Sequence, residues 1–243
     1  MTVFLVLPAY NEEANLGGLL AKVSALDLAV PLKLLVVNDG SRDRTAEVAA
    51  GFVGRLDLER IDHASNLGLG AALRTGLEAA LARGRPGDVV VTMDADDTQP
   101  PSLIPAMLVH IAAGADVVVA SRFASGGQVA GVPWYRRALS RGAAIIARRV
   151  VPVPGVRDFT SGYRAYRFEL LAQAHEVHGA RLIEESGFAC MLELLLKLAR
   201  AGARFAEAPL ELGYNRKLGA SKMRVLSTVK ASLRVLWRAR RRG

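Results

Sequence analysis

The chain has 243 residues, half of them apolar, and a net charge of +9. Its length holds a full hydrophobic core, its composition excludes a disordered chain, and its single cysteine, Cys190, excludes a disulfide framework or a cysteine-based zinc site. Residues 1–120 carry 9 Lys/Arg against 15 Asp/Glu, residues 121–243 carry 23 against 8, and the last thirty residues hold ten basic side chains and no acidic one, so the second half is expected to face something anionic.

In chain order, apolar runs at residues 3–7, 32–37, 58–61, 89–93 and 117–120 read as strands. Amphipathic patterns at 14–26, 45–53, 69–83 and 102–113 read as helices. The opening run is too short for a signal peptide, and no apolar run is long enough to span a bilayer, so a cytoplasmic location is expected. Short apolar strands alternating with helices predict an α/β fold with a mostly parallel central sheet covered on both faces. The second half is less regular. Gly126, Gly127, Gly131 and Pro133 mark a loop, a helical stretch follows over about 135–149, and Pro152, Pro154 and Gly155 interrupt the chain. A helix is predicted over 187–201, strands over 204–208 and 210–214, and a basic amphipathic helix over about 222–240. In that last segment Leu226, Val229, Leu233, Leu236 and Trp237 follow helical spacing beside Lys230, Arg234 and Arg238. Such a helix lies in an anionic membrane interface or docks on its own core; the arginine cluster at 238–242 favours the membrane.

Parallel sheets bind ligands beyond the carboxyl ends of their strands. Three predicted strand ends carry polar clusters: Pro8-Ala9-Tyr10-Asn11-Glu12, Asn38-Asp39-Gly40-Ser41 and Asp94-Ala95-Asp96-Asp97. Residues i and i+2 of a strand point the same way, so Asp94 and Asp96 converge, and paired carboxylates suit a hard divalent cation that bridges them to phosphates. Other features have plainer readings. Asp39-Gly40-Ser41 makes a turn with a helix cap, although its place after a strand favours a pocket. Asn66-Leu67-Gly68-Leu69-Gly70, without a dinucleotide-binding context, reads as a loop packed tightly at a helix start. Glu193 reads as a core-edge residue in an ion pair, and Arg164 and Arg167 as exposed strand residues. His63, His110, His175 and His178 show no metal-ligand spacing. The basic residues are not interleaved with aromatics and no nucleic-acid motif is present, so nucleic acid is not an expected partner.

The strand-end clusters, together with residues 66–70, resemble the family 2 glycosyltransferases. Ser121-Arg122-Phe123 and residues 136–143, 158–167 and 216–222 are similar to the dolichol-phosphate mannose synthases and related polyprenyl-phosphate glycosyltransferases. The resemblance implies a GT-A, Rossmann-like fold over residues 1–222, with a nucleotide-sugar half (1–120) and an acceptor half (121–222), followed by the tail helix at 223–243. It implies inverting transfer of a sugar, mannose from GDP-mannose first, from a nucleotide-sugar to a polyprenyl or dolichyl phosphate. Mg²⁺ or Mn²⁺ is the implied cofactor, and the implied place is the cytoplasmic face of a membrane, reached through the tail helix. By matching position, Pro8, Tyr10, Glu12, Val37 and Asp39 line the nucleoside pocket. Asp94, Ala95 and Asp96 lie along the donor diphosphate, with Asp94 and Asp96 as metal ligands. Arg122, Arg136, Arg216 and Lys222 form an electrostatic clamp, in which Arg122, Arg216 and Lys222 also reach the donor. Some relatives have an oxygen-donor Gln where Thr98 stands, so Thr98 is expected in the metal shell, with Asp97 or Gln99 assisting. Asn38 stands where close relatives often have Asp. A phosphate acceptor, with a second pKa of about 6, is already ionised and needs positive charge rather than a base. The rival is a hydroxyl acceptor, for which Glu193, Asp158 or Glu184/Glu185 would supply the base.

Overall fold

Strands that are buried on both faces need no polar alternation, and β1 shows why its run is continuous. Val3, Leu5 and Leu7 enter one hydrophobic cluster, while Phe4 and Val6 enter another on the opposite face. The computed structural model describes residues 1–130, 149–213 and 225–241. The first half contains β1 (Val3–Ala9), α1 (Glu13–Ser24), β2 (Leu32–Asn38), α2 (Thr45–Ala50), β3 (Leu58–Asp62), α3 (Leu69–Arg83), β4 (Val89–Thr92), α4 (Ile104–Ala112) and β5 (Val117–Ser121). The second contains β6 (Gln128–Ala130), β7 (Arg164–Arg167), α5 (Phe168–His178), α6 (Ala189–Arg200), β8 (Phe205–Pro209), β9 (Glu211–Gly213) and α7 (Val225–Arg241).

Seven strands form one sheet in the order β3-β2-β1-β4-β7-β5-β8. All its pairings are parallel except those of β7, which runs antiparallel to both β4 and β5. A second ladder pairs β6 with β9. Helix α3 crosses β1 so closely that a Cβ on Gly76 would stand 2.2 Å from Val6 Cγ1. The predicted α/β architecture is present, with three second-half elements, β6, β7 and α5, that the pattern did not show. Residues 158–167 carry one motif of the resemblance, and within them Arg164 opens β7 with no exposed surface. Its guanidinium donates to Met191 O at 2.6 Å and to Phe159 O at 3.0 Å, so the exposed-strand reading of Arg164 is corrected. Helix α5 follows β7 without a turn or a side-chain cap, which removes the usual start signal.

Burial pushes the Cys190 thiol up to about 12, as befits an inert core residue. No helix among the described residues is long and apolar enough to cross a membrane. Helix α7 buries Val235, Leu236 and Ala239 in the cluster that includes α6. Arg200 Nη2 donates to Ala239 O and Arg238 pairs with Glu185 at 3.2 Å. The tail is therefore docked on the protein's own core along one face. The expected helix at 135–149 falls mostly outside the described residues, as do Arg136, Arg216 and Lys222.

Candidate active site

The chain leaves β1 for β2 and β3 on one side of the sheet, then returns to β4 on the other. At such a reversal, open α/β sheets take their ligands in a crevice beyond the carboxyl ends of the flanking strands, here β1 and β4. Among the described residues, the two non-glycine positions of positive φ, Asn11 (51°) and Asp97 (59°), lie in the loops that leave these neighbouring strands. Such backbone conformations concentrate where surrounding contacts hold a functional loop.

The loops after β1 and β2 are stitched together. Asn11 N–H donates to Ser41 Oγ at 3.0 Å, Arg42 N–H to Asn11 Oδ1 at 2.8 Å, and Glu12 N–H to Thr45 Oγ1 at 2.7 Å. Glu12 is buried and accepts Asn15 Nδ2 at 2.7 Å. Pro8, Tyr10 and Glu12 thus sit beside the end of β2, with Pro8 in register with Val37. Val37 has no exposed surface and faces Gly76 of α3, so it underlies the crevice instead of lining it. Asp39, 3% exposed, turns its carboxylate towards the start of α3: Oδ1 accepts Leu67 N–H and Oδ2 accepts Gly68 N–H, both at 2.9 Å. The segment 66–70 is a packing loop, because Gly70 N–H donates to Ser186 O and a Cβ on Gly70 would stand 1.9 Å from Glu185 O.

Asn38 has a local partner in β3. Asn38 faces Asp62 across the β2–β3 ladder and donates Nδ2 to its Oδ1 at 2.8 Å. An Asp there would oppose two carboxylates. Asn38→Asp is therefore expected to lower stability by about 1 kcal/mol at pH 7, a modest loss because Asp62 is partly solvated. The reciprocal pair Asn38→Asp/Asp62→Asn should restore it. Urea unfolding of the four proteins measures this, and additive losses in the double variant would contradict it.

Beyond β4 the acidic residues are individually oriented. Gln99 Oε1 accepts Asp94 N–H at 3.0 Å while its Nε2 donates to Asp94 Oδ2 at 2.9 Å. Thr98 donates its hydroxyl to Asp96 Oδ1 at 2.7 Å and its N–H to the same oxygen at 3.2 Å. Asp97 pairs with Lys22. Thr98, Asp97 and Gln99 were expected in or near a metal shell; here Thr98 orients Asp96, Gln99 clamps Asp94, and Asp97 neutralises Lys22. Ala95 is buried between the pair. Gly162 borders Asp94: a Cβ on it would stand 3.3 Å from Asp94 Oδ1. Thr92 Oγ1 donates to Gly162 O at 2.7 Å, holding residues 160–164 against the end of β4.

Arg122 follows β5. Its Nε and Nη2 donate to the two carboxylate oxygens of Asp158 at 2.7 and 2.8 Å, and Nη2 also reaches Thr160 Oγ1 at 2.6 Å. Asp158 further accepts the backbone N–H groups of Arg122, Thr160 and Ser161, each at 3.2 Å. Burial disfavours both charges. The hydrogen bonds and charge of Arg122 nonetheless hold the Asp158 carboxyl below the usual carboxylate range. Asp158, with a further contribution from Asp94, holds the guanidinium above its ordinary value. Arg122 is thus fixed within electrostatic reach of Asp94.

Residues 4–174 match the model of Glycosyl transferase family 2. The chain belongs to this family. It is 32% identical over 225 residues to a dolichol-phosphate mannosyltransferase of Pyrococcus furiosus, covering 92% of this chain and 60% of that protein. It is 35% identical over 223 residues to a polyprenol monophosphomannose synthase of Mycolicibacterium smegmatis, covering 90% and 80%. The chain therefore spans less than two thirds of the Pyrococcus protein's length. Among solved structures it resembles glucosyl-3-phosphoglycerate synthase of Mycobacterium tuberculosis in complex with Mn²⁺, UDP and glucosyl-3-phosphoglycerate. That match has a TM-score of 0.71 at 21% identity and covers 98% of this chain and 79% of the other. The fold of this family 2 glycosyltransferase is accordingly GT-A.

In this glycosyltransferase the carboxylates named above as possible bases are engaged. Asp158 is saturated by Arg122 and backbone N–H groups. Glu193 pairs with Lys197 at 2.7 Å and accepts the N–H groups of Glu184 and Glu185 at 2.9 Å, which is the core-edge ion pair its position implied. Glu184 and Glu185 pair with Lys197 and Arg238. Asp94 and Asp96, one residue apart in the loop after β4, offer the hard oxygen donors that a divalent ion takes together with substrate phosphates. Among the described residues no group of three or more His, Cys, Asp or Glu gathers to hold a metal without them. Sequence reasoning passed over His63, which directly follows β3 and contacts Asp39; its place at the carboxyl edge of the sheet was the available signal.

Proposed function

We propose that this glycosyltransferase moves a sugar, mannose from GDP-mannose first, from a nucleotide diphosphate to the phosphate of a polyprenyl phosphate. The observation that carries the reading is Arg122, fixed by Asp158 at the carboxyl edge of the sheet within electrostatic reach of Asp94, where two anionic substrates would have to meet. The names of the Pyrococcus and Mycolicibacterium relatives, and that of an undecaprenyl-phosphate mannosyltransferase of Micrococcus luteus, 32% identical over 224 residues, support the acceptor and the sugar. A phosphate oxygen attacks the anomeric carbon and the bond to the diphosphate breaks, so the nucleoside diphosphate leaves with the electron pair and the centre inverts. An ionised phosphate has no proton to lose, which agrees with the engagement of Asp158 and Glu193. Asp94 and Asp96 would hold Mg²⁺ or Mn²⁺, with Thr98 orienting Asp96; a bound cation would neutralise the leaving diphosphate. Pro8, Tyr10, Glu12 and Asp39 would surround the nucleoside. Arg122, with Arg136, Arg216 and Lys222 from outside the described residues, would draw the two anions together through charge-assisted hydrogen bonds. The test is incubation with a panel of nucleotide-sugars, Mg²⁺ or Mn²⁺ and polyprenyl phosphate, with the product identified by mass. Transfer to a glycan or small-molecule hydroxyl, and none to the lipid phosphate, would sink the reading.

The proposal extends to the cytoplasmic face of a membrane, whose lipids are anionic. While one face of α7 is docked, Val229, Leu233 and Trp237, at 38%, 49% and 54% exposure and four residues apart, form an outward stripe beside Lys230 and Arg234. Stripe and charge suit insertion at an anionic interface. Leu233→Asp/Trp237→Ser should lower co-sedimentation with anionic vesicles about tenfold or more, the worth of burying two such side chains. Nucleotide binding in solution should stay unchanged. Unaltered sedimentation would remove α7 as the membrane contact.

A further inference from the structure

We propose that His63 is a positioning residue for the nucleoside end of the crevice: it fixes the Asp39 carboxylate and, through it, the loop at residues 66–68. The inference rests on the reading of Asp39 as a nucleoside-pocket residue. His63 is the first residue after β3, and its backbone N–H donates to Asn38 O at 2.9 Å. That bond places its ring beneath the end of β2, where Nδ1 lies 2.7 Å from Asp39 Oδ1. On the far side Nε2 lies 3.0 Å from Thr75 Oγ1 on α3. A carboxylate can only accept, so Nδ1 carries the proton, and Nε2 shares the second hydrogen bond with the Thr75 hydroxyl, which can donate or accept. The imidazole is nine-tenths buried, and it ties together the ends of β2 and β3 and the first turns of α3.

Asp39 is the hub of this arrangement. Its two oxygens hold the Leu67 and Gly68 N–H groups, and the chain beyond it passes flush against the same loop. Gly40 has φ +64°, and a Cβ there would stand 2.3 Å from the carbonyl carbon of Ser65. The two backbone N–H groups hold one oxygen each. The imidazole adds a third donor, on Oδ1, and completes the hydrogen bonding of a buried acceptor. A site whose orienting neighbours are held in this way binds without first ordering its own wall.

Two replacements separate this role from simple packing. The amide nitrogen of Asn matches the position of Nδ1, so His63→Asn keeps the donor to Asp39 and loses the contact with Thr75. The amide of Gln reaches the position of Nε2, so His63→Gln does the reverse. Binding of GDP and of UDP with Mg²⁺ is measured by calorimetry on the full chain, together with kcat, KM for donor and acceptor, and melting temperature. His63→Gln is expected to weaken nucleotide binding and raise donor KM about tenfold, the usual consequence of a lost buried charge-assisted bond. Its kcat and acceptor KM should stay within about twofold, and His63→Asn should bind nucleotide within about threefold of wild type. Wild-type affinity in His63→Gln, or equal losses in both variants that track the melting temperature, would overturn the proposal. Asp39→Asn separates the underlying reading: if it binds nucleotide as wild type does, or if the wild type binds neither nucleotide, the assignment of Asp39 falls and the inference with it.

Discussion

Asp96→Asn is expected to lower turnover by about 10³-fold, equivalent to about 4 kcal/mol of lost transition-state stabilisation, the scale of charge neutralisation by a bound cation. The substitution is chosen because Asn keeps the shape of the side chain. Its Oδ1 still accepts the N–H and hydroxyl of Thr98, which hold Asp96 at 3.2 and 2.7 Å, so the loop after β4 stays in place and only the charge is lost. Stability should change by less than about 0.5 kcal/mol. Metal-dependent binding of the nucleoside diphosphate should fall, while binding measured in EDTA stays as in wild type. Turnover within tenfold of wild type at saturating Mg²⁺ or Mn²⁺ would remove Asp96 from the metal shell.

The second large effect concerns stability. Asp158→Ala should cost about 3 kcal/mol, the low end of the range for a broken buried pair because Arg122 keeps one fifth of its side chain exposed. Arg122→Ala should cost at least about 1 kcal/mol less. The asymmetry follows from the hydrogen bonds. Without Arg122, the carboxylate retains the N–H groups of Thr160 and Ser161 and the Thr160 hydroxyl. Without Asp158, those donors and the guanidinium lose their acceptor together. Urea unfolding of the two variants decides it, and a greater loss in Arg122→Ala would refute the argument. The same pair sets a pH dependence. The folded-state pKa of Asp158 lies below its unfolded value, so its stabilisation is complete above about pH 4 and is lost as pH falls through the lowered folded value. Wild-type unfolding midpoints should hold between about pH 5 and 8 and drop below about pH 4, and Asp158→Asn should show a shallower drop.

Much of the fold was legible because its strands are buried on both faces, which leaves continuous apolar runs such as residues 89–92 between helical patterns. Helix α3 has the predicted bounds, 69–83, since its apolar spacing ends at Arg83 and Gly84. Strand β7 was hidden for a specific reason. Residues 164–167 read Arg-Ala-Tyr-Arg, and a central strand that opens on a buried arginine is intelligible only with the carbonyls of Phe159 and Met191 in view. Helix α5 was hidden because β7 runs into it without a cap.

The site divides in the same way. The sequence alone located the carboxyl-edge clusters, because strand periodicity and the order of a parallel sheet are properties of local pattern. Strand β4 ends at Thr92, so Asp94 and Asp96 lie in the loop beyond it, outside the strand alternation expected to make them converge. Arg122 was named by the resemblance to polyprenyl-phosphate glycosyltransferases, and in the structure its charge is felt by Asp94. The tertiary structure alone decided which polar atoms are committed to one another: Asp158 to Arg122, Gln99 to Asp94, and Asp39 to His63 and the Gly68 N–H. Two of these pairings join residues 36 and 24 positions apart. Hydrogen bonds are set by distance and direction in space, and spacing along the chain does not encode either.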